Sequence, residues 1–329
     1  MKIALAGVGA IGSHILSALL ETGKHEITVL TRGESVASPP ACKKKHSSSP
    51  NLKYIQVTYT DATSLASALP GHDICISTIS SVFAADFVSS QTALIRACIA
   101  SGVRRFVPSE FEADPSKRTD RFDYLVAKRK VLDYLSTDPE VREKLEWSIF
   151  TPGLFMDYYT PLDTKTGRYK SSQSLVDIGF HPIVDIGACK AELVRGMEGR
   201  KLRFSAIADF ARSMAKAVDE MEGRWPRVLR CSGDDIECLE LVRVCERVRE
   251  TPFEITWRTH EDILAKFAQA EKANDIMGMF KWGFPEFVLG DDFGWGDGEK
   301  SALGDILDLN KVFPDEKMQG LEEFLRKWW

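Results

Sequence analysis

The first 32 residues alternate between apolar runs and a glycine-rich turn. An apolar run at Lys2–Ala6 is followed by GVGAIG at 7–12, and apolar residues then recur at helical spacing in ILSALL at 15–20. A second apolar run occupies Glu26–Thr31. Short apolar runs are typical of buried strands, whereas three-and-four spacing is typical of an amphipathic helix. The pattern predicts a strand, a glycine turn, a helix and a strand, which is the order of a dinucleotide-binding unit.

The alternation of strands and helices continues to about residue 150. Further strands are expected at 53–58, 73–77, 103–108 and 147–150, and helices at 63–68, 85–101 and 121–136. Repeated strand–helix units predict a parallel, doubly wound sheet, in which ligands bind outside the carboxyl ends of the strands. The motifs just past those ends are therefore the ones to examine for function.

The regular alternation of strands and helices ends at about residue 154. Strand-like pieces at 184–187, 228–231 and 253–257 mix with helices at 207–221, 236–249 and 321–329. We expect an α/β protein with a Rossmann-type NAD(P)-binding domain at residues 1–154 and a smaller α+β substrate-binding lobe at 155–329. The aromatic stretches at 280–287 and 293–295 fit a mobile lid, a pocket lining or ordinary packing. Asp209 reads as a carboxylate at the start of a helix.

The GxGxxG spacing assigns a task to each glycine. Gly7 permits the tight turn out of the strand, Gly9 lets the backbone approach a pyrophosphate, and Gly12 lets the helix pack closely on the sheet. A pyrophosphate would sit at the helix N-terminus, beside Ala10 and Ile11, where backbone N–H groups and the helix dipole favour an anion. The alternative is a glycine turn that is only structural.

The second strand ends at Thr31 and Arg32. NAD-preferring proteins usually place Asp or Glu here to accept a hydrogen bond from the ribose 2′-hydroxyl. A guanidinium cannot accept that bond, but it can donate two bonds to the 2′-phosphate of NADP. The sequence therefore favours NADP over NAD, with a solvated surface arginine as the alternative.

Composition and charge exclude several classes of protein. The 329 residues are 44% hydrophobic and 28% charged, and the net charge is −5. This composition is ordinary for a globular protein, and without a basic stripe it predicts no nucleic-acid partner. The one basic cluster, Lys43–Lys45, reads as a solvated loop, with a contact to a cofactor phosphate as the alternative. We also expect a cytoplasmic protein without a membrane partner, since no apolar run approaches ~20 residues and no leader precedes the first strand.

The seven cysteines are scattered through apolar stretches and include no CxxC pair. This arrangement indicates neither a disulfide framework nor a zinc site, and we expect no metal. Cys238 and Cys245 lie seven positions apart on an expected helix and read as core residues.

Tyr124 and Lys128 lie four residues apart in the predicted helix at 121–136, so their side chains would share one face. A carbonyl reduced by hydride needs a proton on its oxygen, and a tyrosine beside a cation can donate it. The lysine could also bind the nicotinamide ribose. The alternative for Tyr124 is an ordinary half-buried helix residue.

Several segments together resemble one family. They are the glycine motif with Arg32, STISS at 77–81, RRFVPSEF at 104–111, FDYLVAKRKVLDYL at 122–135 and SIFTPGLFMDYY at 148–159. This combination resembles the NmrA-like, isoflavone reductase-like branch of the atypical short-chain dehydrogenases, over about residues 1–160. Two features depart from the family pattern: the glycine motif is not the more frequent GxTGxxG, and many plant relatives lack a tyrosine at position 124.

The resemblance implies an NADPH-dependent reductase that acts on an aromatic small molecule. It implies that Lys128 is catalytic or positions the nicotinamide, and that Ser109 polarises a carbonyl as in short-chain dehydrogenases. The segment Thr78, Ile79 and Ser80 would pass near the cofactor. Phe111 would border the substrate, and Gly153, Leu154 and Phe155 would border the nicotinamide.

Three functional hypotheses follow. The first is a reductase that transfers hydride from NADPH to a carbonyl or conjugated alkene of an aromatic or secondary-metabolite substrate. The second is an NAD(P)-binding redox sensor that regulates a transcription factor without turnover. The third is an isomerase or cyclase on the same fold. The Tyr124 and Lys128 pair favours the reductase, because a sensor would not need it.

Overall fold

A computed structural model describes residues 1–32, 49–81, 84–113, 115, 123–172, 182–290 and 300–329. Its central element is a six-stranded sheet in the order β3-β2-β1-β4-β5-β6, in which every neighbouring pair is parallel. The strands are β1 (Lys2–Ala6), β2 (Glu26–Thr31), β3 (Leu52–Gln56), β4 (Ile74–Ser77), β5 (Arg105–Val107) and β6 (Glu146–Trp147). The bounds of β1 and β2 are those predicted, and the Rossmann-type fold class is confirmed.

Helices cover both faces of this sheet. Those of the first half are α1 (Ala10–Glu21), α2 (Ala62–Ala68), α3 (Ala84–Ala100), α4 (Asp123–Thr137) and α5 (Pro139–Lys144). Those of the second half are α6 (Ile207–Glu220), α7 (Cys238–Arg249), α8 (His260–Lys272), α9 (Ile276–Leu289), α10 (Leu309–Val312) and α11 (Leu321–Leu325). A 3₁₀ helix lies at Met156–Tyr159.

Alternate residues of β1 face opposite layers, as the two-residue period of a strand requires. Ile3 and Leu5 lie in the same buried cluster as the apolar residues of α1 and α6. Ala4 and Ala6 lie in the cluster formed with α2, α3 and α4. The first strand is therefore buried on both faces, which explains why its sequence is a continuous apolar run rather than an alternating one.

The predicted strand at 147–150 is divided between two partners. β6 pairs with β5, whereas β7 (Ile149–Thr151) pairs with β14 (Val228–Arg230). The N–H of Ser148 donates to Phe106 O at 3.2 Å, and the N–H of Ile149 donates to Arg227 O at 2.8 Å. Successive N–H groups thus bond to opposite neighbours. The prediction placed this strand correctly but missed its interruption at Ser148, because the change of partner depends on residues about 78 positions away, as in the Ser148–Pro226 bond.

β7 belongs to a separate four-stranded sheet with strands of the second half. β14 pairs in parallel with β18 (Gly304–Asp308), and β18 pairs antiparallel with β17 (Lys300–Ser301). The sheet of the cofactor half and these strands therefore share the segment at 146–151. The predicted division at residue 154 stays a prediction.

Three smaller sheets complete the second half, in the orders β15-β13-β8, β11-β12-β16 and β10-β9. Their strands are β8 (Leu154–Phe155), β9 (Leu162–Asp163), β10 (Arg168–Tyr169), β11 (Val184–Asp185), β12 (Lys190–Val194), β13 (Lys201–Ser205), β15 (Asp234–Glu237) and β16 (Glu254–Arg258). One buried apolar cluster joins these strands to α7, α8, α9 and α11. The predicted mixture of strands and helices in this half is confirmed.

Some predicted bounds in the second half were wrong. The helix expected at 236–249 begins at Cys238, because the preceding residues pair with β13 as β15. The helix expected at 321–329 ends at Leu325. The aromatic stretch at 280–287 lies inside α9, and the stretch at 293–295 lies outside the described residues, as does Lys43–Lys45. Cys238 and Cys245 are buried in the core, as predicted.

None of the helices in the described part of the chain is both long enough and apolar enough to cross a membrane.

Two buried carboxylates fix the start of α6. Asp209 lies in the first turn of the helix, as predicted, and accepts a hydrogen bond from the N–H of Gln319 at 2.7 Å. Asp157 is 2% exposed and accepts a hydrogen bond from the N–H of Ile207 at 2.8 Å. Burial, with a smaller contribution from the charge of Asp209, raises the pKa of Asp157 from 3.8 to about 6, against the opposing effect of its hydrogen bonds to Ile207 and Ser171.

The raised pKa of Asp157 predicts a pH-dependent term in stability. Because the folded state holds this proton more tightly than the unfolded chain, the contribution is fully present below the unfolded pKa and is lost as the pH rises through about 6. Asn cannot ionise, so the free energy of unfolding of wild type minus that of Asp157→Asn should fall by on the order of 3 kcal/mol between about pH 4 and pH 7. Urea unfolding of both proteins across this range measures the difference. A difference that is constant or rises with pH contradicts the prediction.

Candidate active site

The glycine turn after β1 is held against the end of β4. Gly7 has a φ of +97°, which favours glycine, and its N–H donates to Leu30 O at 3.1 Å. Its carbonyl accepts a hydrogen bond from Thr78 Oγ1 at 2.9 Å. The turn therefore joins the carboxyl ends of β1, β2 and β4.

Gly12 is where α1 approaches the sheet most closely. A Cβ at this position would lie 2.5 Å from Thr78 Oγ1 and 2.6 Å from Gly7 O, which is closer than any real side chain can come. The space at Gly12 is thus filled by the turn and by Thr78. This geometry agrees with the packing task predicted for Gly12.

The N-terminus of α1 is exposed. Gly9 is its N-cap residue, and among the described residues no heavy atom lies within 4 Å of the position of an added Cβ. No side chain in the described part of the chain caps the helix, and its first turn contains no acidic residue. Ala10 and Ile11, the next two residues, are partly exposed. The residues present therefore fit a pyrophosphate, which would need both the room and the favourable end of the helix dipole.

Thr31 and Arg32 lie at the carboxyl end of β2, where the predicted 2′-phosphate contact would be. Thr31 is 6% exposed, and its Oγ1 has no hydrogen-bond partner among the described residues. Burial raises the pKa of the phenol of Tyr59, whose O–H donates to Leu30 O at 2.7 Å. Arg32 is exposed, and its charge opposes that rise. A guanidinium and a hydroxyl are thus present at the position predicted to distinguish NADP from NAD.

Thr78, Ile79 and Ser80 follow β4 at the same edge of the sheet. Thr78 is partly exposed and bonds to the glycine turn, Ile79 is 6% exposed, and Ser80 is exposed. The structure thus brings this segment beside the glycine turn, as expected for residues that pass near the cofactor.

Lys128 projects from α4 to the turn after β5. The residue is 2% exposed, and its Nζ donates to Glu110 O at 2.7 Å and to Glu112 Oε1 at 2.6 Å. Ser109 is 9% exposed and directly precedes Glu110 in this turn. The structure therefore brings Lys128 and the Ser109 segment together. The side chain of Tyr124 lies outside the described residues, although its backbone belongs to α4.

Phe111 and Phe155 pack on Phe210 of α6. The ring centroid of Phe111 lies 5.6 Å from that of Phe210, and the ring centroid of Phe155 lies 5.9 Å from that of Phe210. Phe111 is 3% exposed and Phe155 is 5% exposed. The structure shows both as packing residues beside the candidate site, and their contact with a substrate or nicotinamide stays a prediction. Sequence reasoning missed Phe210, whose helix lies about 100 residues further along the chain.

Gly153 and Leu154 carry the chain past the end of β7. Gly153 has a φ of +75°, and a Cβ there would lie 2.4 Å from Arg203 O. Its N–H donates to Glu112 O at 3.4 Å, and Leu154 pairs with Phe204 of β13. Gly153 therefore connects the turn after β5 to the second half.

Two further polar residues at this edge were not predicted. One is Glu112, the ion-pair partner of Lys128, and the other is Tyr158. Burial, with a smaller contribution from the carboxylates of Glu112 and Asp157, raises the pKa of Tyr158 to about 12, so this phenol stays protonated. A carboxylate directly after PSEF was the available signal for Glu112, since the resemblance implied that Lys128 and Ser109 act on the same substrate.

The geometry thus gathers a glycine turn, a helix N-terminus, an arginine and a buried ammonium at the carboxyl ends of parallel strands. The model of the NmrA-like family matches residues 2–325. The chain belongs to the NmrA-like family. The resemblance seen in the sequence is confirmed, and it extends well beyond the 1–160 region on which it was based.

Curated relatives match this chain over much or nearly all of its length. Pinoresinol reductase 2 of Arabidopsis thaliana is 24% identical over 341 aligned positions, which cover 98% of this chain and 95% of the relative. Oxidoreductase swnR of Metarhizium robertsii is 25% identical over 236 positions, which cover 71% of this chain and 69% of the relative. The predicted enzyme class is confirmed at the level of the family, because these relatives are oxidoreductases.

The fold is shared with solved structures of such reductases. The structure of AtPrR2 with NADP⁺ and (+)-pinoresinol is 21% identical, has a TM-score of 0.69 and is matched over 100% of this chain and 98% of its own. The predicted cofactor, NADP, is thus the one held by a neighbour of the same fold. The roles of individual site residues stay predictions.

The two glycines at 9 and 12 form a matched pair for a test of the packing at α1. Gly12→Ala forces a Cβ against the Gly7 backbone and should reduce the free energy of unfolding by about 1–3 kcal/mol. Gly9→Ala meets open space and should cost less than about 1 kcal/mol. Chemical unfolding of both variants measures the contrast. Equal losses would show that the helix does not approach the sheet as closely as described.

Proposed function

We propose that this protein is an NADPH-dependent reductase that transfers hydride to a carbonyl or conjugated alkene of a small aromatic or secondary-metabolite substrate. The observation that carries the proposal is the buried Lys128 ammonium at the same sheet edge as the open N-terminus of α1. Ligands of doubly wound sheets bind at this edge. The reductase names of relatives and the NADP⁺ held by AtPrR2 support the same activity.

Four parts of the chain would hold the cofactor. The N-terminus of α1 at Gly9 would bind the pyrophosphate, and Arg32 with Thr31 would bind the 2′-phosphate. The segment Thr78–Ser80 would line the path between them and the turn after β5. Lys128 would donate hydrogen bonds to the nicotinamide ribose. NADPH, when bound, supplies the hydride.

The remaining chemistry falls to residues of the chain. Hydride addition leaves negative charge on the substrate, and the Lys128 ammonium would stabilise that charge in a site sheltered from water. Ser109 would donate a hydrogen bond to the substrate oxygen. The proton would come from Tyr124 or from water. Phe111 and Phe155 would present an apolar border to an aromatic substrate.

The first test concerns the choice of cofactor. Arg32→Ala should weaken NADPH binding about tenfold to hundredfold and leave NADH binding unchanged, because only NADPH carries the phosphate that the guanidinium would pair with. Calorimetric titration with both cofactors measures the change. Arg243→Ala, at an exposed arginine of α7, serves as the matched control. Equal binding of NADPH and NADH by the wild-type protein would contradict the assignment.

The second test separates a reductase from a cofactor-binding regulator. Wild-type protein with NADPH should reduce aromatic ketones or enones from a substrate panel, followed as the loss of NADPH absorbance. Lys128→Ala should lower kcat/KM at least a hundredfold, a loss typical of a group that stabilises transition-state charge. Tight binding of NADPH without turnover of any compound would favour the regulator instead.

A further inference from the structure

The ion pair between Glu112 and Lys128 connects a solvent-facing carboxylate to a buried ammonium. The two atoms lie 2.6 Å apart, and the side chains are 31% and 3% exposed respectively. The ammonium also donates to the carbonyl of Glu110 at 2.7 Å. A buried ammonium is strongly unfavourable unless it is paired, and Glu112 supplies an opposite charge in direct contact with it.

The backbone turns sharply to bring Glu112 to this position. Phe111 has a φ of +44°, a conformation that costs a bulky residue about 1 kcal/mol or more. The ring of Phe111 is fixed by its edge contact with Phe210, so packing holds the strained turn in place. The turn therefore places the next residue, Glu112, against Lys128.

The backbone carbonyl of Glu112 makes a second connection. It accepts a hydrogen bond from the N–H of Gly153 at 3.4 Å. One residue thus joins the turn after β5, the lysine of α4 and the segment after β7. These are the three segments that would surround the nicotinamide end of a bound cofactor.

We propose that Glu112 is the positioning residue of Lys128: its carboxylate holds the ammonium where it can bind the nicotinamide ribose. The inference rests on the proposed function. A lysine has a flexible four-carbon stem, and ordering it costs up to about 2 kcal/mol of rotamer entropy. With Glu112 in place, that ordering is complete before the cofactor arrives. Without Glu112, the ammonium loses this ion pair, and the lysine stem can adopt other rotamers before the cofactor binds.

The test compares two ligands that differ at the nicotinamide end. Adenosine 2′,5′-bisphosphate carries the 2′-phosphate but lacks the nicotinamide ribose, whereas NADPH carries both. Glu112→Ala should weaken NADPH about tenfold in Kd and leave the bisphosphate unchanged, measured by calorimetry. Glu112→Gln should fall between wild type and Glu112→Ala, since its amide oxygen still accepts a hydrogen bond but carries no charge. Glu140→Gln, in the exposed pair with Lys144, is the control and should change neither ligand.

A double-mutant cycle shows whether Glu112 acts through Lys128. In a Lys128→Met background, Glu112→Ala should have no further effect on the Kd of NADPH. Thermal unfolding of each variant shows whether it is folded, and Glu112→Gln, the isosteric change, carries the test if Glu112→Ala does not fold.

The outcomes separate the inference from the function on which it rests. Selective weakening of NADPH that vanishes without Lys128 supports the inference. Unchanged or tighter NADPH binding in the Glu112 variants overturns it, as does equal weakening of both ligands, which would indicate a purely structural role. A wild-type protein that binds neither ligand overturns the proposed function as well.

Discussion

The contact between Gly12, Gly7 and Thr78 sets the position of everything at the carboxyl edge of the sheet. At Gly12 the turn leaves no room for a side chain, so α1 lies directly on the ends of β1 and β4. This close approach directs the N-terminus of α1 across the edge at Gly9, where no side chain of the described residues intrudes. Interiors are close-packed, so a shift of this helix would move the whole anion-binding surface with it.

The second half of the chain supports the candidate site through packing contacts between residues that are far apart in the sequence. Helix α6 lies on α1, and its Phe210 supports both Phe111 and Phe155. At the opposite edge of the sheet, Arg105 stacks on Trp225 at 3.9 Å and pairs with Glu146 at 3.0 Å. The contacts of Phe210 and Trp225 join the two halves into one structure, and the packing of Phe210 on Phe111 fixes the turn after β5 that carries Glu112.

The cofactor side of the site could be predicted from local patterns. The bounds of β1 and β2 follow from local apolar runs, and the tasks of Gly7 and Gly12 follow from the glycine spacing, although Thr78 from the end of β4 completes that contact. Other features depend on distant partners. The interruption at Ser148 requires β14, the packing of Phe111 requires Phe210, and the raised pKa of Asp157 requires burial beneath α6. Hydrophobic periodicity carries no information about such pairings, and the Glu112–Lys128 contact needed the left-handed turn at Phe111.

We propose that one sheet edge binds NADPH with its nicotinamide end at Lys128, and a crystal structure of the protein with NADP⁺ would test this placement. The pyrophosphate should lie at Gly9, the 2′-phosphate at Arg32 and the nicotinamide ribose within hydrogen-bond distance of Lys128 Nζ, with Glu112 still paired to that ammonium. A cofactor bound elsewhere, or a nicotinamide ribose remote from Lys128, would contradict it.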